Sequence, residues 1–362
     1  MSKKVLVGLS GGIDSSVAAL LLKNQGYEVE GVTMLIWAKD SKYPAPMSAN
    51  SCYNPDKEKD LEKIDEICHQ IGIKHHVIDC SKLYESTVLE NFRSEYMNGR
   101  TPNPCIWCNS KIKFGAMIEE ARKTLEFDYF ATGHYARIEM GENGRYQLKK
   151  AVDLKKDQSY FLSRLTQKQL STTLFPLGGL LKSEVRKIDE ENGFHEPGQC
   201  ESQDFYGGDY TDLLDISDKQ GDIVLIDNGK VLGKHKGYWH YTIGQRKGLG
   251  IAYSEPLFVL SLDPKENKVI VGTAKFTRQN KVVAKNVNWV GDTDFSSDEI
   301  YWAKIRSTSP GDPVRAEKIE DGFVLDFLNP VKAATPGQSA VVYSGDRVIA
   351  SAVIESSECV EK

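Results

Sequence analysis

The sequence predicts an α/β chain: an N-terminal domain with a parallel sheet, then a small β-rich module, then a C-terminal β-barrel. Three observations point there. Up to about residue 205, β-rich runs alternate with helix-spaced runs, as in a sheet covered by helices on both faces. From about residue 220 the pattern becomes short β-rich runs separated by Gly, Asp and Asn turns, which suits small barrels. The 362 residues also suggest two or three domains at roughly 150 residues each. The expected division is 1–205, 206–275 and 276–362.

The elements follow in order. Residues 5–9 form a short β-rich run. Residues 17–23 have helical spacing and stop before Gly26, a residue suited to a helix end. Residues 29–37 read as a buried strand, 61–71 as a helix, 76–79 as a strand, 82–97 and 111–125 as helices, and 129–132 as a strand. Between them, 39–54 holds Pro44, Pro46 and several Ser and Asn, and predicts a flexible loop. Further on, 222–227 runs into Asn228-Gly229, a hairpin signal. The runs 258–262, 281–289, 301–305, 322–327 and 340–343 continue the β series.

Composition narrows the function. With 40% hydrophobic and 27% charged residues the chain reads as folded and soluble. The apolar run 17–22 is far too short to span a bilayer. Lys3 and Lys4 precede only a short apolar stretch, so a cytoplasmic protein with no membrane role is expected. A net charge of −5 is not that of a general nucleic-acid coat, but binding needs only a local patch. Two patches exist. Residues 145–168 carry seven basic and two acidic side chains; 228–248 carry five basic and no acidic ones, with Tyr238, Trp239 and Tyr241 among them. Seven cysteines in such a chain argue for metal, redox or nucleophilic thiols rather than a disulfide framework.

The strongest local motif is Ser10-Gly11-Gly12-Ile13-Asp14-Ser15-Ser16, between the first strand and the first helix. Glycines there let backbone approach an anion, and a helix N-terminus points N–H groups at it. Asp14 or Ser15 capping the helix is the plain structural alternative. The loop is neither a Walker A nor a Gly-x-Gly-x-x-Gly turn. It resembles the pyrophosphate loop of the PP-loop ATP pyrophosphatases, Rossmann-like adenine nucleotide alpha hydrolases that release pyrophosphate and activate an oxygen with AMP. Asp14 would suit a Mg²⁺ bridging the phosphates.

The second motif is Asn103-Pro104-Cys105-Ile106-Trp107-Cys108-Asn109. A closed zinc site wants four ligands, and no second Cys-x-x-Cys follows. The helix expected over 111–125 would place this loop at a helix N-terminus, where thiolates are stabilised and reactive. Together with Arg100-Thr101-Pro102 before it and Ile112-Lys113-Phe114 after it, this stretch resembles the signature of the bacterial tRNA-specific 2-thiouridylases. Further matches are Ala131-Thr132-Gly133-His134-Tyr135, Lys156-Asp157-Gln158-Ser159-Tyr160-Phe161, Leu174-Phe175-Pro176-Leu177-Gly178, Thr242-Ile243-Gly244-Gln245-Arg246-Lys247-Gly248-Leu249-Gly250 and Thr335-Pro336-Gly337-Gln338-Ser339-Ala340. They span nearly the whole chain. No S-adenosylmethionine-binding signature accompanies them, so methyl transfer is not expected.

The resemblance implies adenylation of the C2 oxygen of the wobble uridine in tRNA, then attack on C2 by a sulfur that a donor supplies, with loss of AMP. It implies ATP contacts at Gly8, Leu9, Ser10, Gly11, Gly12, Ile13, Asp14, Ser15, Met34 and Gly133. It places Asn103, Pro104 and Cys105 at the target base. It places His134, Lys156, Asp157, Gln158, Arg306, Ser307 and Gln338 at tRNA contacts, and makes Cys108 the first catalytic cysteine. Chemistry agrees: a carbonyl oxygen leaves only after conversion to a phosphate ester, a cysteine suits sulfur transfer, and the base must leave its stack.

The chain departs from that family at two positions. Cys105 stands where most members have Asp, and Tyr206 stands where they have a second catalytic cysteine. Two repairs stay open. Cys200 takes over as partner of Cys108, or Cys105, Cys108 and Cys200 together hold a [4Fe–4S] cluster with one iron open for sulfide. The plain reading of Cys52, Cys68, Cys80 and Cys359 is structural, with Cys359 near a frayed terminus. His195, near Cys200, is either a fourth ligand or structural, the latter being commoner for a lone His. The alternatives to tRNA thiolation are another PP-loop adenylating enzyme and a non-catalytic tRNA-binding protein.

Overall fold

The computed structural model describes residues 2–44, 51–53, 57–196 and 205–360. The chain divides into two compact units: residues 1–88, 104–209 and 346–348 form the first, and 89–103, 210–345 and 349–362 form the second.

The first unit is built on a five-stranded sheet in the order Lys74–Asp79, Glu28–Leu35, Lys4–Gly8, Tyr129–Thr132, Thr173–Leu174. Every neighbouring pair is parallel. Chain order reverses at Lys4–Gly8, so a crevice opens beyond the carboxyl ends of Lys4–Gly8 and Tyr129–Thr132. Ligands of open α/β sheets bind at such a switch point.

The helix Ile13–Asn24 follows the central strand. Ala19 and Leu22 join a core with Val5, Val7, Ile64 and Ile67, while Val17 and Ala18 join another with Tyr135, Leu177 and Val185. Burial on both faces explains its unbroken apolar run, since a one-sided helix would show an apolar stripe. Full burial of a side chain such as Val7 is worth about 1.5–3 kcal/mol. The hairpin Ala136–Met140 and Tyr146–Lys150 completes this unit, with Lys149 in register with Arg347.

In the second unit, the strands Phe258–Asp263, Lys268–Gly272, Gly221–Leu225 and Val231–His235 form one sheet, in that order. The expected turn at Asn228-Gly229 is there, with Gly229 at φ +69°, a conformation open to glycine. Six strands, Arg278–Trp289, Gly322–Lys332, Asp312–Ile319, Tyr301–Lys304, Ser339–Ser344 and Arg347–Cys359, close into a β-barrel because the first also pairs with the last. Its interior holds Val282, Phe323, Leu325, Val342 and Ile354.

Three expectations need correction. The helix expected over 82–97 is interrupted: a turn Ser81–Tyr84, a π-helical stretch Glu85–Leu89, then Glu90–Met97. The flexible loop expected over 39–54 contains Tyr53, which is fully buried and donates its backbone N–H to the Phe205 carbonyl at 3.0 Å. Residues 45–50 and 54 of that loop lie outside the described residues. Cys359 is not frayed. It pairs with Gln279 in the barrel, and its Sγ donates to the Phe276 carbonyl at 3.4 Å.

Candidate active site

The glycine loop forms as its residue types require. Gly11 adopts φ +79°, which is strained for any residue with a Cβ. Gly12 is the N-cap and is extended, with no side-chain cap. Neither Asp14 nor Ser15 caps the helix, so the plain structural alternative for these residues does not hold. Ser15 instead ties the turn: its hydroxyl donates to the Gly12 carbonyl at 2.9 Å and accepts from the Ser10 N–H at 3.2 Å. The first-turn N–H groups keep their orientation toward the crevice, which is the arrangement that binds a phosphate.

Asp14 is held by two groups that sequence reasoning did not single out as site residues. Its Oδ1 accepts from the Tyr135 hydroxyl and from Lys182 Nζ, both at 2.7 Å. Lys182 is buried, and its ammonium lies 5.8 Å from the Tyr135 ring centre. The only sequence signal was position: Lys182 stands four residues beyond the Leu174–Gly178 motif. Gly133, at the end of the neighbouring strand, lies against this turn. A Cβ there would come within 2.6 Å of the Asp14 carbonyl carbon and 2.8 Å of Ser15 N. The structure thus brings Gly11, Gly12, Asp14, Ser15 and Gly133 together. Met34 lies on the adjacent strand, two residues past Val32, the register partner of Gly8.

His195 is also part of this support. Its Nδ1 faces Asp189 Oδ1 at 2.6 Å and its Nε2 faces the Gly11 carbonyl at 3.1 Å. Both ring nitrogens are engaged and the side chain is buried. It holds the glycine turn and is not arranged as a metal ligand.

The cysteine motif departs from its expected form. The helical path starts at Pro104 and runs through Pro104–Trp107, a π-helical Cys108–Ala116 and Met117–Ala121. Cys105 lies in the first turn and is exposed; Cys108 lies a turn further in and is half-buried. Burial pushes the Cys108 thiol from 9.0 up to about 11, with the Lys113 charge pulling it down and Cys52 pushing it up. A stabilised thiolate was expected from the helix N-terminus. Desolvation outweighs that local effect. Cys80 is buried nearby and pushed up to about 12, mainly by burial, with Cys108 contributing. Burial likewise raises the Tyr84 hydroxyl well above its ordinary range, and Cys108, Cys52 and Cys105 each add to the shift.

Burial lowers His134 well below its ordinary value, and Lys113 adds to that shift. His134 is neutral, within 2.7 Å of the Thr132 hydroxyl, and its ring lies 5.9 Å from Phe114. A Lys113→Met variant should raise the Cys108 pKa above about 11. Alkylation of Cys108 should rise about tenfold per pH unit up to that pKa, and the variant should react roughly threefold more slowly at pH 9. Rates of iodoacetamide labelling against pH, read by peptide mass, check this.

The remaining expected site residues sit as follows. Asp157 accepts from the Ala151 and Ser159 N–H groups and the Ser159 hydroxyl. Gln158 Oε1 accepts the Tyr135 N–H at 2.9 Å. Both side chains thereby brace the chain beside Gly133. Lys156 is partly exposed. In the second unit, Gln338 Nε2 donates to the Thr101 and Pro102 carbonyls at 3.1 and 2.8 Å, and Asn103 is buried. Arg306 donates to Thr335 Oγ1 at 2.9 Å, and Ser307 is partly exposed beside it. Cys200 lies outside the described residues. Among the described residues no three His, Cys, Asp or Glu side chains gather to hold a metal ion.

A parallel sheet with an uncapped Ser-Gly-Gly-Ile-Asp-Ser turn at its switch point defines a nucleotide-binding domain of the PP-loop, or HUP, class. A family model described as a tRNA methyl transferase HUP domain matches residues 3–206. A tRNA methyl transferase PRC-barrel domain matches 214–273, and an aminomethyltransferase beta-barrel domain matches 279–354. The tRNA-specific 2-thiouridylase MnmA of Endomicrobium trichonymphae is 47% identical over 358 residues, 97% of this chain and 98% of that one. That of Halothermothrix orenii is 42% identical over 98% and 99%. The chain belongs to the tRNA-specific 2-thiouridylase family. Among solved structures, the U34-tRNA thiolase NcsA from Methanococcus maripaludis, with its [4Fe-4S] cluster, is 21% identical at a TM-score of 0.33, over 60% of this chain and 65% of that one.

Proposed function

We propose that this chain catalyses ATP-dependent 2-thiolation of the wobble uridine of tRNA. The observation that carries the reading is the Phe114 ring, which belongs to the stretch that begins at Cys108 and lies 5.9 Å from the ring of His134, next to the Gly133 backbone that lies on the glycine turn. A nucleotide site and a sulfur site are thus adjacent within one unit. The first-turn N–H groups would hold the phosphates of ATP. Asp14, bound through Oδ1 to Lys182 and Tyr135, would offer Oδ2 to a Mg²⁺, a hard cation that takes carboxylate and phosphate oxygens.

The uridine C2 oxygen attacks the α-phosphorus and pyrophosphate leaves. The resulting ester turns a poor leaving group into AMP, and sulfur then attacks C2. Trp107 offers a stacking face beside the thiols, with Arg164 and Lys111 lying 5.1 and 6.0 Å from its ring centre. That combination suits an unstacked base and its phosphates. The basic residues of 145–168 would extend the tRNA contacts with His134, Lys156, Asp157 and Gln158. Asn103, Arg306, Ser307 and Gln338 would serve from the second unit. Among the described residues no helix is long and apolar enough to cross a membrane, and we place the activity in the cytoplasm. The working domain division is 1–205, 206–275 and 276–362.

Cys108 acts in either sulfur route. The sulfur comes as a persulfide from a donor, or as sulfide on an iron of a [4Fe–4S] cluster that Cys105, Cys108 and Cys200 would hold. Iron and acid-labile sulfide, measured after anaerobic purification, separate the two: about four of each per chain marks the cluster. The adenylation step is tested with tRNA carrying ¹⁸O at the uridine C2. The label should appear in the phosphate of AMP. AMP released without label would contradict the reading.

A further inference from the structure

We propose that His195, braced by Asp189, is a positioning residue for the nucleotide reaction. It holds the peptide between Gly11 and Gly12 in the orientation that turns the Gly12 N–H toward the phosphates of ATP. The proposal rests on the ATP-dependent reading above.

Local structure brings the histidine to the turn. The helix Lys182–Asn192 ends at Gly193, which adopts φ +64°, and the Gly193 N–H donates to the Asp189 carbonyl at 2.9 Å. This left-handed end folds the chain back over the helix's last turn. His195 therefore meets Asp189, with Nδ1 facing Oδ1 at 2.6 Å. The carboxyl group fixes the ring, and Nε2 then faces the Gly11 carbonyl at 3.1 Å. A carbonyl oxygen only accepts, so Nε2–H is the donor. The His195 side chain is fully buried and that of Asp189 is 3% exposed, so both contacts are shielded from water. Lys182, at the head of the same helix, binds Asp14. One element thus sets both the backbone of the turn and its carboxylate.

The turn depends on that one donor. The peptide between Leu9 and Ser10 is held at both ends: the Thr33 hydroxyl donates to the Leu9 carbonyl at 3.1 Å, and the Ser10 N–H donates to Ser15 Oγ at 3.2 Å. The Gly11–Gly12 peptide has, among the described residues, only His195 as a donor to its carbonyl. It lies between two residues without a Cβ, so its plane can turn over at little steric cost. A trans peptide points its C=O and N–H in opposite directions, and among the described residues no peptide is cis. With the carbonyl on His195, the Gly12 N–H points to the other side and adds a donor to those of the first helical turn. Turned over, the peptide would present its oxygen to the phosphates, and like partial charges repel. Glycine at 12 fits this role. Its φ of −104° is open to any residue, and a Cβ there would meet only Ser10 Oγ, at 3.7 Å. Neither backbone nor packing calls for glycine, and its bare surface leaves room for a phosphate beside the N–H.

Two variants of the full chain separate this role from a purely structural one. An Asn amide nitrogen falls near the place of a histidine Nδ1, and a Gln amide nitrogen near that of Nε2. His195→Asn therefore keeps the Asp189 contact and loses the one to Gly11, while His195→Gln keeps a donor for Gly11. Each protein is titrated by calorimetry, with Mg²⁺ present, with α,β-methylene-ATP and with AMP. His195→Asn should bind the triphosphate at least about 30-fold more weakly than wild type and AMP within about twofold, because AMP lacks the phosphates the turn would hold. His195→Gln should bind the triphosphate within about fivefold of wild type. Equal triphosphate affinity in the two variants overturns the proposal. So does an equal loss of both ligands in His195→Asn, which marks general damage to the site. Both outcomes leave the ATP reading standing. Wild type that binds neither ligand overturns the ATP reading and the proposal together.

Discussion

Cys108→Ala is expected to abolish tRNA thiolation, with a loss on the order of 10³-fold or more, because a covalent sulfur step has no substitute for its thiol. Adenylation should survive in part, since the glycine turn, Asp14 and Gly133 do not use the sulfur. The signature is therefore uncoupling: AMP and pyrophosphate still form with tRNA present, and 2-thiouridine does not. The fold should hold. Cys108 is half-buried, so the cavity left by removing one sulfur is small, and the thermal midpoint should move by only a few degrees. Nucleoside mass spectrometry and pyrophosphate release on the same sample check this. Thiolation at the wild-type rate would remove Cys108 from the mechanism.

The second large effect is expected at Lys182→Met. Lys182 has 9% of its side chain exposed and Asp14 has 28%, so the pair is shielded from solvent on one side. Removing the ammonium would leave the Asp14 carboxylate without its counter-charge at the proposed phosphate site. ATP-dependent AMP formation should fall on the order of 10²-fold, chiefly through weaker transition-state charge stabilisation. Stability should drop by about 2 kcal/mol, below the figure for a fully buried pair because Asp14 keeps contact with water. A second change, Asp14→Asn in the same chain, should restore much of the stability and none of the activity. Thermal unfolding and pyrophosphate release separate the two effects. An active Lys182→Met would show that the pair is only structural.

The glycine turn was legible because its cause is local. Gly11, Gly12 and Ser15 meet within one turn, and residue type alone dictates what they can do. The parallel sheet was legible for the same reason, through strand and helix periodicities. Lys182 and His195 were not. Each reaches the turn from more than 160 residues away, and neither stands in a motif that announces it. The raised pKa of Cys108 was missed because the helix N-terminus is a local feature and burial is a tertiary one. The barrel's last strand, Arg347–Cys359, was also missed. Its β-branched residues Val348, Ile349, Val353 and Ile354 are split into two short pairs by Ala350-Ser351-Ala352, residues that do not mark a strand, and pairing on the closed barrel holds them in one strand.

The most direct test is a single reconstitution. Purified protein is incubated with ATP, Mg²⁺, a persulfide donor and tRNA lacking the modification, and the tRNA is digested and its nucleosides weighed. The account predicts 2-thiouridine at the wobble position, formed only when ATP is present, with one AMP and one pyrophosphate for each sulfur inserted. Pyrophosphate release with no thiolated nucleoside, or sulfur at C4 in place of C2, would contradict it.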